Sequence, residues 1–504
     1  MSVSPSAGVR ERADCRPTPY RYLPPLLFGL LALAWYLWGL DAKPIWGDEA
    51  STAWHSTYDA SALWTQPITH KPPLYYLLTA LFWSPGDGEF TLRLPAALLG
   101  ATTVALAWPF GHLLGGRRLA FWLALLLLLS DIHLHYSQEA RHYGLLSLGW
   151  LLSMIAAARL LQTVGSEGLS LLWWALGALL MAHAHPVGWL YLAVSQLMLW
   201  LVLPMGRPLP WRPLALTSVL TLLAMLTLAP WLHLALENAA GSFNWLRQPT
   251  LSQALMQWSA LFGAKSLAHL FGVPLALATG GVLVLVSLAG MVSLLRRDAR
   301  LGRWLLGLML LTPTTLWLIG MVKPVYMLRT ISPLHLLAVT GLALAITALP
   351  HPRGRTLAGL ALAGLLATAS WAWRQHYEKE DWRGLSGELA HRAGPNDAAL
   401  VCENQLYRPL WFYLGNAMPR LFYPDRRKPR LWIWRGDERR WRPFRPMPGE
   451  APPPTFWVID RLGHCPRNIP ALLGRLTGRR YRPGDGWHGH ALTLTPWHST
   501  SVRR

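Results

Sequence analysis

Residues 143–162 read YGLLSLGWLLSMIAAARLLQ, a twenty-residue stretch in which Arg159 carries the single charge. A helix of this length spans about 30 Å, the thickness of the hydrocarbon core of a bilayer. About eleven such apolar runs lie between charge-bearing breaks, near 23–40, 92–114, 119–131, 143–162, 169–183, 186–204, 214–234, 273–295, 304–322, 331–349 and 356–373. The runs at 119–131 and 169–183 are short, and one of them is a candidate re-entrant segment. The sequence predicts a polytopic α-helical membrane protein with about eleven transmembrane helices.

The composition supports a membrane protein. Of the 504 residues, 52% are hydrophobic and only 14% are charged, whereas soluble domains carry about 25% charged residues. This excludes a soluble enzyme and a disordered chain. The net charge of +21 is typical of nucleic-acid-binding proteins. The apolar runs instead favour membrane lipids as the partner, and we expect no bound nucleic acid. Three cysteines without a CxxC motif exclude a disulfide-framed scaffold and offer no redox or metal signature.

Charge asymmetry predicts the orientation. If segment 1–22 is cytoplasmic, the inner segments hold fifteen Lys and Arg residues and the outer loops up to residue 373 hold eight. The first apolar run has no signal-peptide cleavage site after it, and we expect it to remain as an anchor. An odd number of spans then places the C-terminus outside. We therefore expect a multi-pass protein of the bacterial plasma membrane, with a membrane domain at 23–373.

The C-terminal segment 374–504 has a different composition, being rich in Arg and lacking an apolar run. It contains an amphipathic helix at 381–393 and short β-like runs at 398–402, 431–434, 455–459 and 491–495. We expect a soluble α/β domain of about 130 residues on the outer face. Cys402 and Cys465 follow two of these runs, so neighbouring strands would allow a disulfide between them.

Polar residues concentrate in the first outer loop, 41–91. Asp48 and Glu49 come directly after the first span, where adjacent carboxylates suit base catalysis, or base catalysis by one and metal binding by the other. A solvated loop start is the alternative. Residues 51–64 are expected to form one surface helix. Lys71 stands before Pro72-Pro73, and a snorkelling interfacial lysine is the alternative for it.

Further polar clusters lie at the same outer level. One is the loop 136–143, where Arg141 and Glu139 could simply pair with each other. Another is His183-Ala184-His185, whose imidazoles suit a metal ion but lack helical i, i+4 spacing, so interfacial hydrogen bonding is the alternative. The segment from Lys323 to Arg329 adds two cations. These clusters are expected to meet at the outer membrane surface.

Several motifs resemble those of the GT-C glycosyltransferases, in particular the branch of protein O-mannosyltransferases, lipid A aminoarabinose transferases and their bacterial relatives. They are Asp48-Glu49, His70-Lys71-Pro72-Pro73-Leu74, Gln138-Glu139-Ala140-Arg141-x-Tyr143, Arg329-x-x-x-Pro333 and Glu380-Asp381-Trp382-Arg383-Gly384. The resemblance follows motif order over most of 23–400 and is specific in the first two outer loops.

The resemblance implies a transferase that takes a sugar from a polyprenyl-phosphate carrier at the outer face. It places catalysis on Asp48 and contact with the donor phosphate on Lys71, and it puts Arg141 and Tyr143 beside the active-site cavity. The relatives commonly have a metal-binding Glu where this chain has His70. Imidazole also ligates divalent metals, so His70 is the first candidate ligand, with Glu49, His183 and His185 as possible partners.

The residues themselves agree with this reaction. The phosphate of such a donor is already a good leaving group, so the acceptor hydroxyl needs one carboxylate base, which favours inversion at the anomeric carbon. Four cations, Lys71, Arg141, Lys323 and Arg329, are available to stabilise the leaving phosphate. The acceptor could be a lipid, a glycan or a protein. A flippase for lipid-linked saccharides is the alternative function, but the spans carry few of the polar groups that it needs along its path.

Overall fold

The computed structural model describes residues 22–66, 68–69, 71–205, 210–233, 248–424, 431–435, 439–443, 452–466 and 468–500. The candidate metal ligand His70 lies outside this set, as do residues 1–21 of the expected cytoplasmic segment, with the third cysteine, Cys15.

The first part of the chain is helical. Its α-helices are α1 (Leu23–Leu37), α2 (Gly47–Ser56), α3 (Ala60–Thr65), α4 (Leu74–Ala80), α5 (Glu89–Leu128), α6 (Asp131–Ser137), α7 (Tyr143–Gln162), α8 (Glu167–Ala184), α9 (Pro186–Val202), α10 (Trp211–Leu226), α11 (Leu251–Ala260), α12 (Ala264–Phe271), α13 (Val273–Arg297), α14 (Ala299–Val322), α15 (Leu328–Ile331), α16 (His335–Ala348) and α17 (Pro352–His376).

The apolar runs of the sequence all coincide with helices in this part. Among the described residues, seven helices are long and apolar enough to cross a membrane, counting α15 and α16 with the 3-10 turn between them as one. Three shorter apolar helices, α1, α9 and α10, accompany them. The runs 92–114 and 119–131 form the two halves of α5, which breaks at Gly115 and Gly116. The prediction of a polytopic helical membrane fold is confirmed.

Helix α7, the apolar stretch 143–162, lies at the centre of the bundle. Of the 18 residues that form its most apolar stretch, 94% are buried inside the protein. A helix that is hydrophobic on every side needs apolar neighbours all round, and α7 packs against α5, α8 and α9. Its first residue, Tyr143, brings this rigid core to the level of the polar clusters.

The C-terminal unit (Trp382–Thr500) is built on a mixed β-sheet. Its helices are α18 (Trp382–Arg392), α19 (Tyr407–Leu414) and α20 (Ile469–Thr477), and its strands are β1 (Ala398–Val401), β2 (Arg420–Pro424), β3 (Leu431–Arg435), β4 (Arg440–Pro443), β5 (Thr455–Arg461), β6 (Arg480–Pro483), β7 (Trp487–Gly489) and β8 (Leu492–Thr500). The strand order is β4-β3-β2-β1-β5-β8-β6, and β7 pairs with β8. Strand β1 is parallel to β2 and β5, and the other pairs are antiparallel. The expected amphipathic helix and all four β-like runs are confirmed.

One face of this sheet packs against the first loop. Trp54 of α2 lies 4.9 Å from the ring of Trp411 and 5.8 Å from that of Trp434, so it belongs to the core of the C-terminal unit. The expectation of one surface helix over 51–64 is therefore wrong. Helix α2 ends at Ser56 and α3 begins at Ala60, and Trp54 buries its apolar area against protein instead of lipid.

The cysteines of the C-terminal unit form a disulfide, as their positions after two β-like runs suggested. Cys402 and Cys465 are bonded, with their Cα atoms 5.1 Å apart and a sequence separation of 63. Closing a loop of that length should stabilise the unit by about 4 kcal/mol on the chain-entropy model. The variant Cys402→Ser/Cys465→Ser should therefore melt at a lower temperature than wild type, whereas Cys15→Ser should not. Thiol labelling that is independent of reductant would contradict the bridge.

Candidate active site

Helix α2 places two adjacent carboxylates in different surroundings. The chain enters α2 from an extended Trp46, so Asp48 and Glu49 both lie in the first helical turn, where the helix dipole favours negative charge. The side chain of Asp48 is 33% exposed, but that of Glu49 is 0% exposed. Asp48 can therefore meet a substrate, and Glu49 cannot.

Asp48 is held by two arginines that are distant in sequence. Its Oδ2 atom lies 2.9 Å from Nη1 of Arg329 and 3.3 Å from Nη2 of Arg141. Arg141 is buried and also donates to the backbone oxygen of Asp48, at 2.9 Å, and to Oγ1 of Thr52, at 3.3 Å. The structure thus brings together three residues that the sequence analysis had proposed separately.

Lys71 adds a third cation to this cluster. Its backbone N–H donates to Oγ1 of Thr69 at 3.1 Å, which fixes the segment before the two prolines. Burial lowers the pKa of Lys71 well below its usual value, and the charges of Arg141 and Arg329 lower it further, against the opposing effect of Asp48. Arg141 and Arg329 thus oppose the protonated form of Lys71, and an anion bound here would favour it.

Glu49 is the centre of a buried ion-pair network. Its carboxylate accepts from Nε of Arg93 at 2.7 Å, from Nζ of Lys379 at 2.7 Å and from the backbone N–H of Ala140 at 2.9 Å. Burial alone would raise the pKa of Glu49, but the charges of Arg93 and Lys379 outweigh it and hold the pKa well below its usual range. These contacts tie α2 to α5 and to the segment that leads into the C-terminal unit.

A cavity of about 260 Å³ opens beside Arg329. It is lined mainly by aromatic and polar side chains, among them Trp46, Glu139, Tyr143, Lys265, His269, Trp373 and Tyr377. Glu139 pairs here with His135, at 2.9 Å. The alternative that Glu139 pairs with Arg141 is wrong, because Arg141 is directed at Asp48.

Among the described residues, the candidate metal ligands Glu49, His183 and His185 each have other partners. Nε2 of His183 lies 2.8 Å from Oγ1 of Thr227, and Nδ1 of His185 accepts from the backbone N–H of Val187 at 3.1 Å. Glu49 is already occupied by two cations. Within the part of the chain that the structure describes, no three His, Cys, Asp or Glu side chains are placed to hold a metal ion. The described residues do not fit a metal site, so no chemical step is derived through one.

Two further differences from the sequence analysis concern cations. Lys323 is exposed where α14 ends, unlike the part-buried Arg329. The sequence did not indicate that Arg93, Lys379 and Arg408 contact α2. Nη1 of Arg408 donates to Oγ of Ser51 at 2.8 Å, so the C-terminal unit reaches the first turns of α2. A sequence signal existed for Arg93, since an arginine inside an apolar run usually has a buried acid as partner.

No family model and no curated protein matches the sequence. Among solved structures, ArnT from Cupriavidus metallidurans in the apo state superposes with a TM-score of 0.63 at 12% identity, over 95% of this chain and 98% of that chain. The chain has the GT-C fold.

Two further solved structures extend this likeness of fold. ArnT from the same organism bound to undecaprenyl phosphate gives a TM-score of 0.60 at 13% identity, over 95% of this chain and 98% of that one. The oligosaccharyltransferase of Archaeoglobus fulgidus, in complex with Zn and sulfate, gives 0.50 at 13% identity, over 78% of this chain and 62% of that one. The GT-C fold expected from the motifs is thus confirmed, and with it a multi-pass membrane protein.

Proposed function

We propose that the protein is a glycosyltransferase that moves a sugar from a polyprenyl-phosphate carrier to an acceptor hydroxyl at the outer face of the membrane. The observation that carries this proposal is the pairing of Asp48 with Arg141 and Arg329, with Lys71 close enough to interact electrostatically with all three. A carboxylate can take a proton, and cations beside it can hold a phosphate. The GT-C fold supports the same class of donor, since one of the ArnT structures that share it has undecaprenyl phosphate bound.

In this mechanism the donor phosphate competes with Asp48 for its two arginines. Without substrate, Oδ2 of Asp48 lies within ion-pair distance of both Arg329 and Arg141, and a carboxylate so paired is a weak base. A bound phosphate would draw these guanidinium groups toward itself, since arginine pairs well with phosphate oxygens. Donor binding would therefore strengthen Asp48 as a base when it is needed.

The transfer step is a single displacement at the anomeric carbon. The acceptor oxygen attacks the anomeric carbon, the bond from that carbon to the phosphate oxygen breaks, and its electron pair stays on the phosphate. The hydroxyl proton passes to Asp48. The products are the glycosylated acceptor and polyprenyl phosphate, and attack opposite the leaving group inverts the anomeric centre. The aromatic cavity beside Arg329 gives the substrates room next to the phosphate site.

Glu49 has a supporting role in this proposal. Because it is fully buried and paired with Arg93 and Lys379, it orients α2 rather than touching the substrate. We therefore assign proton transfer to Asp48 alone. Residues 374–504 are proposed to lie on the same outer side, where they cover α2.

Binding of the leaving group tests the phosphate site. Lys71→Met should weaken binding of a short-chain polyprenyl phosphate to the purified protein by about 10- to 100-fold, because it removes one charge-assisted contact. Arg141→Lys, which keeps the charge but loses the fork, should also weaken it. Arg480→Met, which removes an exposed cation from β6, is the matched control. Wild-type affinity in both Lys71→Met and Arg141→Lys would contradict the proposal.

A further inference from the structure

At the end of the bundle opposite Asp48, helix ends surround a polar cavity of about 280 Å³. We call it the arginine cleft, after Arg118, Arg297 and Arg355 in its wall. Helix α5 relates the two ends. It begins at Glu89, which pairs with Arg383 of the C-terminal unit at 2.7 Å, and it reaches the cleft about 40 Å further along its axis.

Local backbone geometry creates the cleft. Gly116 has a φ of 78°, a value that side chains strongly disfavour, and this break between the halves of α5 positions Arg118 at the cleft. On the other side, α13 and α14 turn back at Asp298. A Cβ at Gly302 would collide with the backbone of Leu295, so the tight turn places Arg297 beside the same cavity.

The three arginines keep donors available to a ligand. Arg118 and Arg297 are exposed. Arg355 is held in place, since its Nε donates to the carbonyl oxygen of Leu349 at 2.8 Å and its Nη2 to that of Pro350 at 2.9 Å. Asp298 is the one acid in the wall, and its Oδ1 accepts from the backbone N–H groups at the start of α14. The cleft therefore has an excess of positive charge and suits an anion.

The surroundings of the cleft favour a lipid as the source of that anion. The second half of α5 and the start of α17 pack closely. Gly359 permits this contact, since a Cβ at its position would collide with the ring of Trp122. Arg118 and Arg355 lie at one end of this seam. Phe121, one helical turn after Arg118 on α5, is 42% exposed, which gives an acyl chain an apolar surface on the same helix face as that arginine.

We propose that the arginine cleft binds the phosphate of an anionic membrane phospholipid, of the class of phosphatidylglycerol and cardiolipin. Basic pockets between transmembrane helices are suited to such headgroups. Arginine is the residue that best matches phosphate oxygens, through two parallel hydrogen bonds. The site is separate from the one proposed for glycosyl transfer, and it stands whether or not that function is correct.

The test compares two double variants of the full-length protein. Arg118→Gln/Arg297→Gln removes two cleft arginines, and Arg117→Gln/Arg296→Gln removes their exposed neighbours in sequence, which do not line the cleft. The probe is a short-chain phosphatidylglycerol, with phosphatidylcholine of the same chain length for comparison, and binding is measured by native mass spectrometry and thermal shift. The cleft variant should bind phosphatidylglycerol about 30-fold more weakly than wild type, and the neighbour variant should bind it as wild type does.

Three outcomes would overturn the proposal. Equal losses in the two double variants would mean that the lipid recognises a general basic surface. Equal binding of phosphatidylcholine and phosphatidylglycerol to the wild type would remove the requirement for an anion. Inorganic phosphate that stabilises the protein as strongly as the lipid does, through the same two arginines, would identify a free-phosphate site instead.

Discussion

Asp48→Asn should lower the rate of glycosyl transfer by about 10²- to 10⁴-fold while the protein stays folded. The substitution keeps the shape of the side chain and removes its basicity. Transfer can be followed by mass spectrometry of envelope glycolipids in cells that carry each variant as the only copy. Asp59→Asn, which changes an exposed acid of the same loop, is the matched control and should transfer normally.

Binding of polyprenyl phosphate separates this role from a general disturbance of the site. Arg141 and Arg329 lose an ion-pair partner in Asp48→Asn and remain available to a phosphate. The variant should therefore bind polyprenyl phosphate at least as tightly as wild type, although it does not turn over. Near-normal transfer by Asp48→Asn would move the base to another residue, and a loss of phosphate affinity would assign Asp48 to binding.

Glu49→Gln should give the opposite phenotype, a protein that is strongly destabilised. Its carboxylate is the partner of both Arg93 and Lys379, which are buried, so the substitution leaves two charges in the interior without compensation. Removing one member of a buried ion pair costs about 3–5 kcal/mol. Thermal unfolding in detergent should show this loss, and Asp48→Asn is the control for an acid in the same helical turn.

A second substitution and a pH series test the cause. Lys379→Met added to Glu49→Gln should recover part of the stability, because it removes one unpaired charge. Since folding lowers the pKa of Glu49, its stabilisation is fully present above the ordinary pKa of glutamate and is lost only as the pH falls below it. Two results would contradict this account. One is a Glu49→Gln variant as stable as wild type, and the other is a variant that regains wild-type stability only at higher pH.

The helices and the position of Asp48 could be predicted from the sequence because both depend on local patterns. An apolar run as long as 143–162 forms a helix in a bilayer whatever its neighbours are. Asp48 follows the first apolar run directly. Four of the eight strands described in the C-terminal unit were recognisable for the same reason, namely β1, β3, β5 and β8. The disulfide needed one further step, namely that the β-like runs before Cys402 and Cys465 lie near each other.

What the sequence did not reveal depends on pairs that are distant along the chain. Glu49 and Lys379 are separated by 330 residues, and no periodicity connects them. Asp48 and Glu49 are also identical in kind and adjacent, so their different roles follow only from the packing of α2. Trp54 has the pattern of a membrane-surface residue, and its true partners in α19 and β3 lie hundreds of residues away.

The contact between Glu49 and Lys379 has a consequence for how the protein is made. Ribosomes synthesise the chain from its N-terminus, so α2 leaves the ribosome long before Lys379, and longer still before Arg408, which contacts Ser51. Until then Glu49 can pair with Arg93 but not with its second cation. Helix α2 is thus among the first segments to be translated and among the last to reach its final environment. A nascent chain stalled between α17 and α18 should hold α2 loosely, and protease sensitivity of such stalled intermediates would follow the completion of the site.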